Sequence, residues 1–202
     1  ANTILTFVLI SFIGLSSCTS DNEEKLIEVN STALSDQEKA DLLFILEEEK
    51  MARDVYTFLY EKWQIPIFYN ISRSESAHMS AVANVLEYYD VAYEIKPYGE
   101  YNNDIVQGLY NDLVAAGSQT ELDAYLVGAT IEDVDIFDLE ESMANTDNNY
   151  IEDVFESLQC GSRNHLREFV KNIEMANGTY SPQFIGETEY ESIINNTNES
   201  CN

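Results

Sequence analysis

The chain has 202 residues, 37 of them acidic and 10 basic, for a formal charge of −27, with 45% hydrophobic and 11% aromatic residues, two histidines and three cysteines. So acidic a surface repels phosphate, which excludes nucleic acid as a partner and excludes a basic membrane-binding patch, and leaves divalent cations as the natural ligands. The apolar share suffices for a sizeable core, so this is not the acidity of a disordered chain, and the length fits one domain with tails.

The run Ile4 to Leu15 (ILTFVLISFIGL) is apolar throughout. It is short for a bilayer span and of the size of an export signal's hydrophobic region. Neither Met nor a basic segment precedes it, so the export reading expects a few further residues upstream. The run ends in Leu15-Ser16-Ser17-Cys18, which resembles the lipobox of bacterial lipoproteins. On this reading residues 1–17 are a lipoprotein signal peptide, Cys18 is lipidated, and residues 18–35 are a flexible polar tether to a membrane. The alternative is an ordinary secretory signal with Cys18 incidental. Thr19 replaces the Asp that favours inner-membrane retention in enterobacteria, which points to the outer membrane or surface of a bacterial cell envelope. In an oxidising compartment Cys160 and Cys201 could form a disulfide pinning the C-terminal tail, the alternative being an inert buried Cys160. No CxxC pair occurs, which excludes a thiolate metal centre or a dithiol redox motif.

Ser35 with Glu38 forms a capping box, and from there to Trp63 apolar residues recur at helical spacing: Leu42, Ile45, Leu46, Ala52, Tyr56, Leu59 and Trp63. Glu49 interrupts that stripe. Glu47, Lys50, Asp54 and Glu61 fall on the opposite face and read as solvated, with Glu48 intermediate. After Pro66 a second helix, from about Ile71 to Tyr89, carries Glu75 and His78 where apolar residues are expected. A crossover from about Asp90 to Gly117, with a short helix around Ile105 to Ala116, is too long for a hairpin. Ser118 with Glu121 makes another capping box, opening a helix to about Asn145 whose stripe includes Glu132, with Asp135 one turn on. The last long helix, Tyr150 to Met175, is interrupted at Ser162 and His165, and residues 176–202 read as a tail. The expected fold is an all-α four-helix bundle with a long crossover between the second and third long helices.

One polar residue on an apolar stripe is ordinarily a boundary residue or a hydrogen-bonded core residue. Here every long helix carries one near its middle, and both histidines are among them. A buried unpaired carboxylate costs several kcal/mol against the roughly 5 to 15 kcal/mol that hold a domain together. Arg53, Arg73 and Arg163 lie on the flanks, so a metal is the simpler compensation. Glu49, Glu75, Glu132 and Asp135 supply charge for two divalent cations, and His78 and His165 add nitrogen donors. Such a set suits iron or manganese better than a structural zinc or a calcium loop. Di-iron carboxylate bundles use a Glu from each of two helices and Glu-x-x-His from each of the other two.

The order of these motifs resembles the ferritin-like superfamily. Glu49 to Tyr56 resembles the Glu-x-x-Ala-x-x-x-Tyr of the first helix in rubrerythrins and bacterioferritins, which favours Glu49 over Glu48. The strings EEEKMARDVY (Glu47 to Tyr56), NISRSESAHMSAV (Asn70 to Val82), VGATIEDVDIFDL (Val127 to Leu139) and GSRNHLREFV (Gly161 to Val170) are similar to the ferritin-like family called domain of unknown function 2202. Ser162 stands where a ferritin or rubrerythrin has Glu. Asp135 is the proposed replacement and Glu168 a weaker candidate, while Gly161 and Ser162 could instead leave room for a ligand. The resemblance implies a di-iron site reacting with oxygen or peroxide, with Tyr56 either orienting a carboxylate, supplying an electron or serving as a core aromatic. Without rubredoxin-like cysteines, electrons would come from an unknown donor. The competing expectations are a non-catalytic metal-binding or partner-binding surface lipoprotein, and a metal-free polar network.

Overall fold

The computed structural model describes residues 33–201. The segment expected to be a signal peptide, Cys18 and most of the expected tether lie outside the described residues. Among the described residues there are six helices and no strand: α1 (Asp36–Trp63), α2 (Pro66–Tyr88), α3 (Asp104–Gly117), α4 (Glu121–Met143), α5 (Asn149–Met175) and α6 (Glu187–Ile194). No helix among these residues is long and apolar enough to cross a membrane.

At the start of α1 both halves of the Ser35/Glu38 capping box form. α1 ends at Gln64, in the left-handed region (φ 55°), and Pro66 opens α2 in its first turn. The second helix thus begins at Pro66 rather than near Ile71, because a missing N–H is harmless where no carbonyl precedes it. Ser118 does not cap α4. It ends α3, its hydroxyl donating to the Val114 carbonyl at 2.6 Å, and Thr120 takes the cap by accepting the Asp123 N–H at 3.1 Å.

The short α1–α2 and α4–α5 connections make two antiparallel hairpins, packed on each other through α1–α4 and α2–α5 contacts. The segment joining them runs the length of the bundle. It leaves Tyr89, whose hydroxyl accepts from Asn148 at the head of α5, passes along α1, and reaches Gly117, whose carbonyl accepts the Trp63 indole N–H at 2.9 Å. α4 therefore starts at the end where α2 started, and the two run parallel. One apolar cluster gathers Tyr56, Phe68 and Phe169, the other Leu42, Val82, Leu139 and Phe155. The interruptions of the stripes form a polar layer between them.

The face of α1 read as solvated is covered by the crossover. Lys50 and Asp54 are 2% and 0% exposed. Lys50 Nζ donates to Asp54 at 2.7 Å and to the carbonyls of Pro97 (3.0 Å) and Glu100 (3.1 Å). Asp54 also accepts from Arg53, the Gly99 N–H and the Tyr101 hydroxyl. Burial works to raise its carboxyl pKa, but the Gly99 N–H, Lys50 and Arg53 hold it below the ordinary value. Glu47, on the same side, accepts the backbone N–H groups of Asn102 (2.7 Å) and Asn103 (2.8 Å) ahead of α3.

The C-terminal tail is a structured strap containing α6. Asp133, 0% exposed, accepts the Tyr180 hydroxyl at 2.7 Å and the N–H groups of Gln183 (2.6 Å) and Ile185 (3.0 Å). Ile185 and Ile193 join the core. Arg167 donates to the Ile193 carbonyl at 2.7 Å, Arg163 and Arg167 both grip Glu199, and a disulfide joins Cys160 to Cys201.

Asp54→Ala strands the Lys50 ammonium beneath the crossover, and we expect it to cost about 3 to 5 kcal/mol in urea unfolding, where a loss under about 1 kcal/mol would contradict the buried pairing. Hydrogen bonds from Arg163, with Arg167 adding to them, depress the Glu199 pKa from 4.5 to about 2. A depressed carboxyl stabilises the fold above its unfolded pKa and loses that contribution as pH falls through its folded one. The stability gap between wild type and Glu199→Gln should therefore be full above pH 4.5 and vanish as pH falls through about 2.

Candidate metal centre

Four helices deliver the polar layer. α1 brings Glu49, α2 brings Glu75 and His78 on one face three residues apart, α4 brings Glu132 and Asp135, and α5 brings Ser162 and His165. Glu49, Glu75 and Glu132 are each 2% exposed.

The donors converge in two groups, Glu49 with Glu75 and His78, and Glu75 with Glu132 and His165. Glu75 belongs to both. Its Oε2 lies 2.7 Å from His78 Nδ1 and its Oε1 lies 3.0 Å from His165 Nδ1. Glu49 Oε2 is 3.2 Å from the first imidazole nitrogen and Glu132 Oε2 is 3.3 Å from the second. The two rings stack with centroids 5.7 Å apart. Each Nδ1 thus faces two carboxylate oxygens, although an imidazole nitrogen has at most one hydrogen to donate. Glu49 Oε1 and Glu75 Oε1 are buried without a hydrogen-bond partner, the latter close to His165 but not in line with a donor. A buried carboxylate oxygen left so costs at least about 1 to 3 kcal/mol.

Without a cation, the groups compensate one another. Burial raises Glu49 to about 7 despite His78 beside it. Burial also works to raise Glu75, but His165 and His78 hold it well below its ordinary value. Burial opposes the charged form of His165, yet Glu75 and Glu132 push its pKa up to about 10. His78 is raised in the same way by Glu49 and Glu75.

Tyr56, fully buried against Phe68 and Phe169, donates its hydroxyl to Glu132 Oε1, leaving Oε2 toward His165. Gly161 serves His78: a Cβ there would lie 2.7 Å from Nε2 and 2.8 Å from Cε1 of that ring. The space at Gly161 is therefore taken by the imidazole and is not left for a ligand. Ser162 Oγ lies 2.5 Å from Asp135 Oδ2 and 3.0 Å from the Leu158 carbonyl, and its one hydrogen serves either acceptor. Asp135 lies beside the centre but in neither convergent group, and burial, then Glu49 and Glu132, raise its pKa. Glu168 pairs with Lys171 on the surface, outside both groups. It helps line a cleft of about 450 Å³ that reaches His165 between Asn70, Asn172 and Asn198. A larger cleft of about 610 Å³, between α1 and the crossover, contains no member of either group.

The stripe interruptions pointed to Glu75, His78, Glu132 and His165, and for Glu49 the resemblance of the first-helix motif decided against Glu48. Sequence spacing left Glu48 intermediate, and it is buried, 5% exposed with its Oε2 unpartnered. Its flanking Phe44, Met51 and Val55 were the available sign.

The family model described as the uncharacterized protein domain DUF2202 matches residues 38–197. The Uncharacterized protein MJ0754 of Methanocaldococcus jannaschii is 46% identical over 168 residues, spanning 82% of this chain and 91% of its own length. The crystal structure of hypothetical protein MJ0754 from Methanococcus jannaschii is similar with a TM-score of 0.82 at 46% identity, over 83% of this chain and 97% of that one. A match that reaches all four bundle helices, with a relative of this similarity, shows that the chain belongs to the DUF2202 family.

Proposed function

We propose that the protein is a ferritin-like metal protein that holds two iron ions, with manganese the alternative, and reacts with oxygen or peroxide. The observation that carries this reading is Glu75, whose two oxygens face two different imidazoles, each already faced by a second carboxylate. The single hydrogen on each imidazole Nδ1 cannot serve both carboxylate oxygens that face it, whereas cations held among these donors would engage all of them. The ligands would be Glu49, Glu75 and His78 for one ion and Glu75, Glu132 and His165 for the other. Asp135 supplies the fourth negative charge nearby. The parallel α2 and α4 joined by a long crossover, with Glu-x-x-His on α2, support the ferritin-like assignment.

Bound iron would supply the exchange of electrons with oxygen or peroxide. The chain's own part is positioning. Tyr56 occupies one oxygen of Glu132 so that the other faces inward, Gly161 gives His78 its place, and the apolar clusters on either side keep bulk water out. The cleft at His165 gives a small oxidant an approach from solvent. Electrons for repeated turnover would come from an outside donor. The cell envelope, through lipid on Cys18, is the proposed location on the strength of Leu15-Ser16-Ser17-Cys18 alone. Ser162, where a fourth-helix carboxylate would complete the set, favours a second reading in which the metal is bound without turnover.

Loading residues 19–202 anaerobically with Fe²⁺ should give two metals per chain by mass spectrometry, and mixing with oxygen or peroxide should change the iron absorbance. Fewer than one metal per chain overturns the proposal, and metal without reaction selects the second reading. Glu75→Ala and His165→Ala should abolish loading, while Glu47→Ala should keep it.

A further inference from the structure

Beyond Ile194 every described residue of the C-terminal segment is exposed, and residues 195–200 (NNTNES) include no large apolar side chain. Hydrophobic burial therefore does not hold this segment in place, and its position depends on polar and covalent ties. Glu199 accepts from Arg163 at 2.6 Å and Arg167 at 2.5 Å, and its backbone exchanges hydrogen bonds with the Asn164 side chain at 2.8 and 3.1 Å. The last tie is the Cys160–Cys201 disulfide. All four of these partners lie on α5, the helix that carries His165. Asn198, next to Glu199, lines two clefts of about 450 Å³ each, one containing Arg163 and Arg167 and the other reaching His165 beside Asn164 and Glu168. The segment is thus the partition between the two clefts and one wall of the opening at His165.

We propose that residues 195–201 are a thiol-controlled flap: the Cys160–Cys201 disulfide holds it on α5 and narrows the opening at His165, and reduction of that bond lets it swing away. This inference rests on the reading of His165 as part of the metal centre and adds a control of access to it. An external dithiol attacks the exposed Cys201 sulfur and breaks the bond to Cys160. The reductant then closes its own disulfide, so that two electrons and two protons pass to the protein and leave two thiols. The Glu199 contacts must then carry a chain end tethered from one side only. Ion pairs near the surface hold weakly, and a free end meets its partners at a lower effective concentration than a closed loop does. With the flap away, the two clefts merge in front of His165.

The test is the relaxation of the imidazole C–H protons in the metal-free protein with a neutral gadolinium chelate in solution, before and after dithiothreitol, with reduction verified by intact mass. The chain has two histidines, so one ring is the control for the other. Their side chains start equally covered, 12% exposed for His78 and 13% for His165, and His78 does not line the cleft. Reduction should raise the gadolinium effect on His165 about threefold and leave His78 nearly unchanged, as a local opening requires. Cys201→Ser should do the same without reductant, whereas Glu199→Gln with the disulfide intact should leave both rings near wild type. An unchanged His165 in fully reduced protein, an equal rise at both rings, or the full rise in Glu199→Gln overturns the flap. With no metal in the sample, none of these outcomes bears on the two-metal centre, which the loading experiment judges.

Discussion

The arrangement of the bundle depends on one constraint: Glu75, buried in the middle of α2, presents one oxygen to His78 and the other to His165. The charged form of a carboxylate in such surroundings is stabilised by cationic groups facing its oxygens. That arrangement fixes the register of α2 against α5, and through the second carboxylate at each imidazole it fixes α1 and α4 as well. The two apolar clusters supply the burial that holds the helices together, but they are separated by this layer. Apolar packing tolerates a shift of register far better than a set of directed donors does.

The donors are held from behind. Beside Glu49 in sequence stands Lys50, buried under the crossover with Asp54, and beside Glu132 stands Asp133, buried under the C-terminal strap. Two residues after His165, Arg167 grips the Ile193 carbonyl and Glu199, and Cys160 ties the same helix to Cys201. Each of these three helices thus turns donors inward while a buried charge on its outer side is locked by the crossover or the C-terminal strap. Such support fixes side chains to the fraction of an ångström that a metal centre needs. The strap and crossover thus hold the polar layer in place from outside it.

Helical periodicity made the four long helices and their interruptions readable, because a charged residue on an apolar stripe is conspicuous against its neighbours. It could not reveal what covers the opposite face. Lys50 and Asp54 looked solvated because periodicity measures direction from a helix axis, and only the path of the crossover decides whether that direction meets water. Asp133 escaped notice for the same reason, since the strap that buries it is over forty residues away in sequence, Gln183 being separated from it by 50. At the start of α4, Ser118-x-x-Glu121 and Thr120-x-x-Asp123 both satisfied the capping pattern, and the extent of α3 chose between them. Glu48 beside Glu49 was undecidable from spacing alone, and both proved buried.

The central claim is that the donors around Glu75 exist to hold two metal ions. Anomalous diffraction at the iron edge, from crystals grown with Fe²⁺ under anaerobic conditions, addresses it directly. The account predicts two peaks, one among Glu49, Glu75 and His78 and the other among Glu75, Glu132 and His165. A loaded crystal with no peak between these side chains, or with its iron elsewhere on the acidic surface, would contradict it.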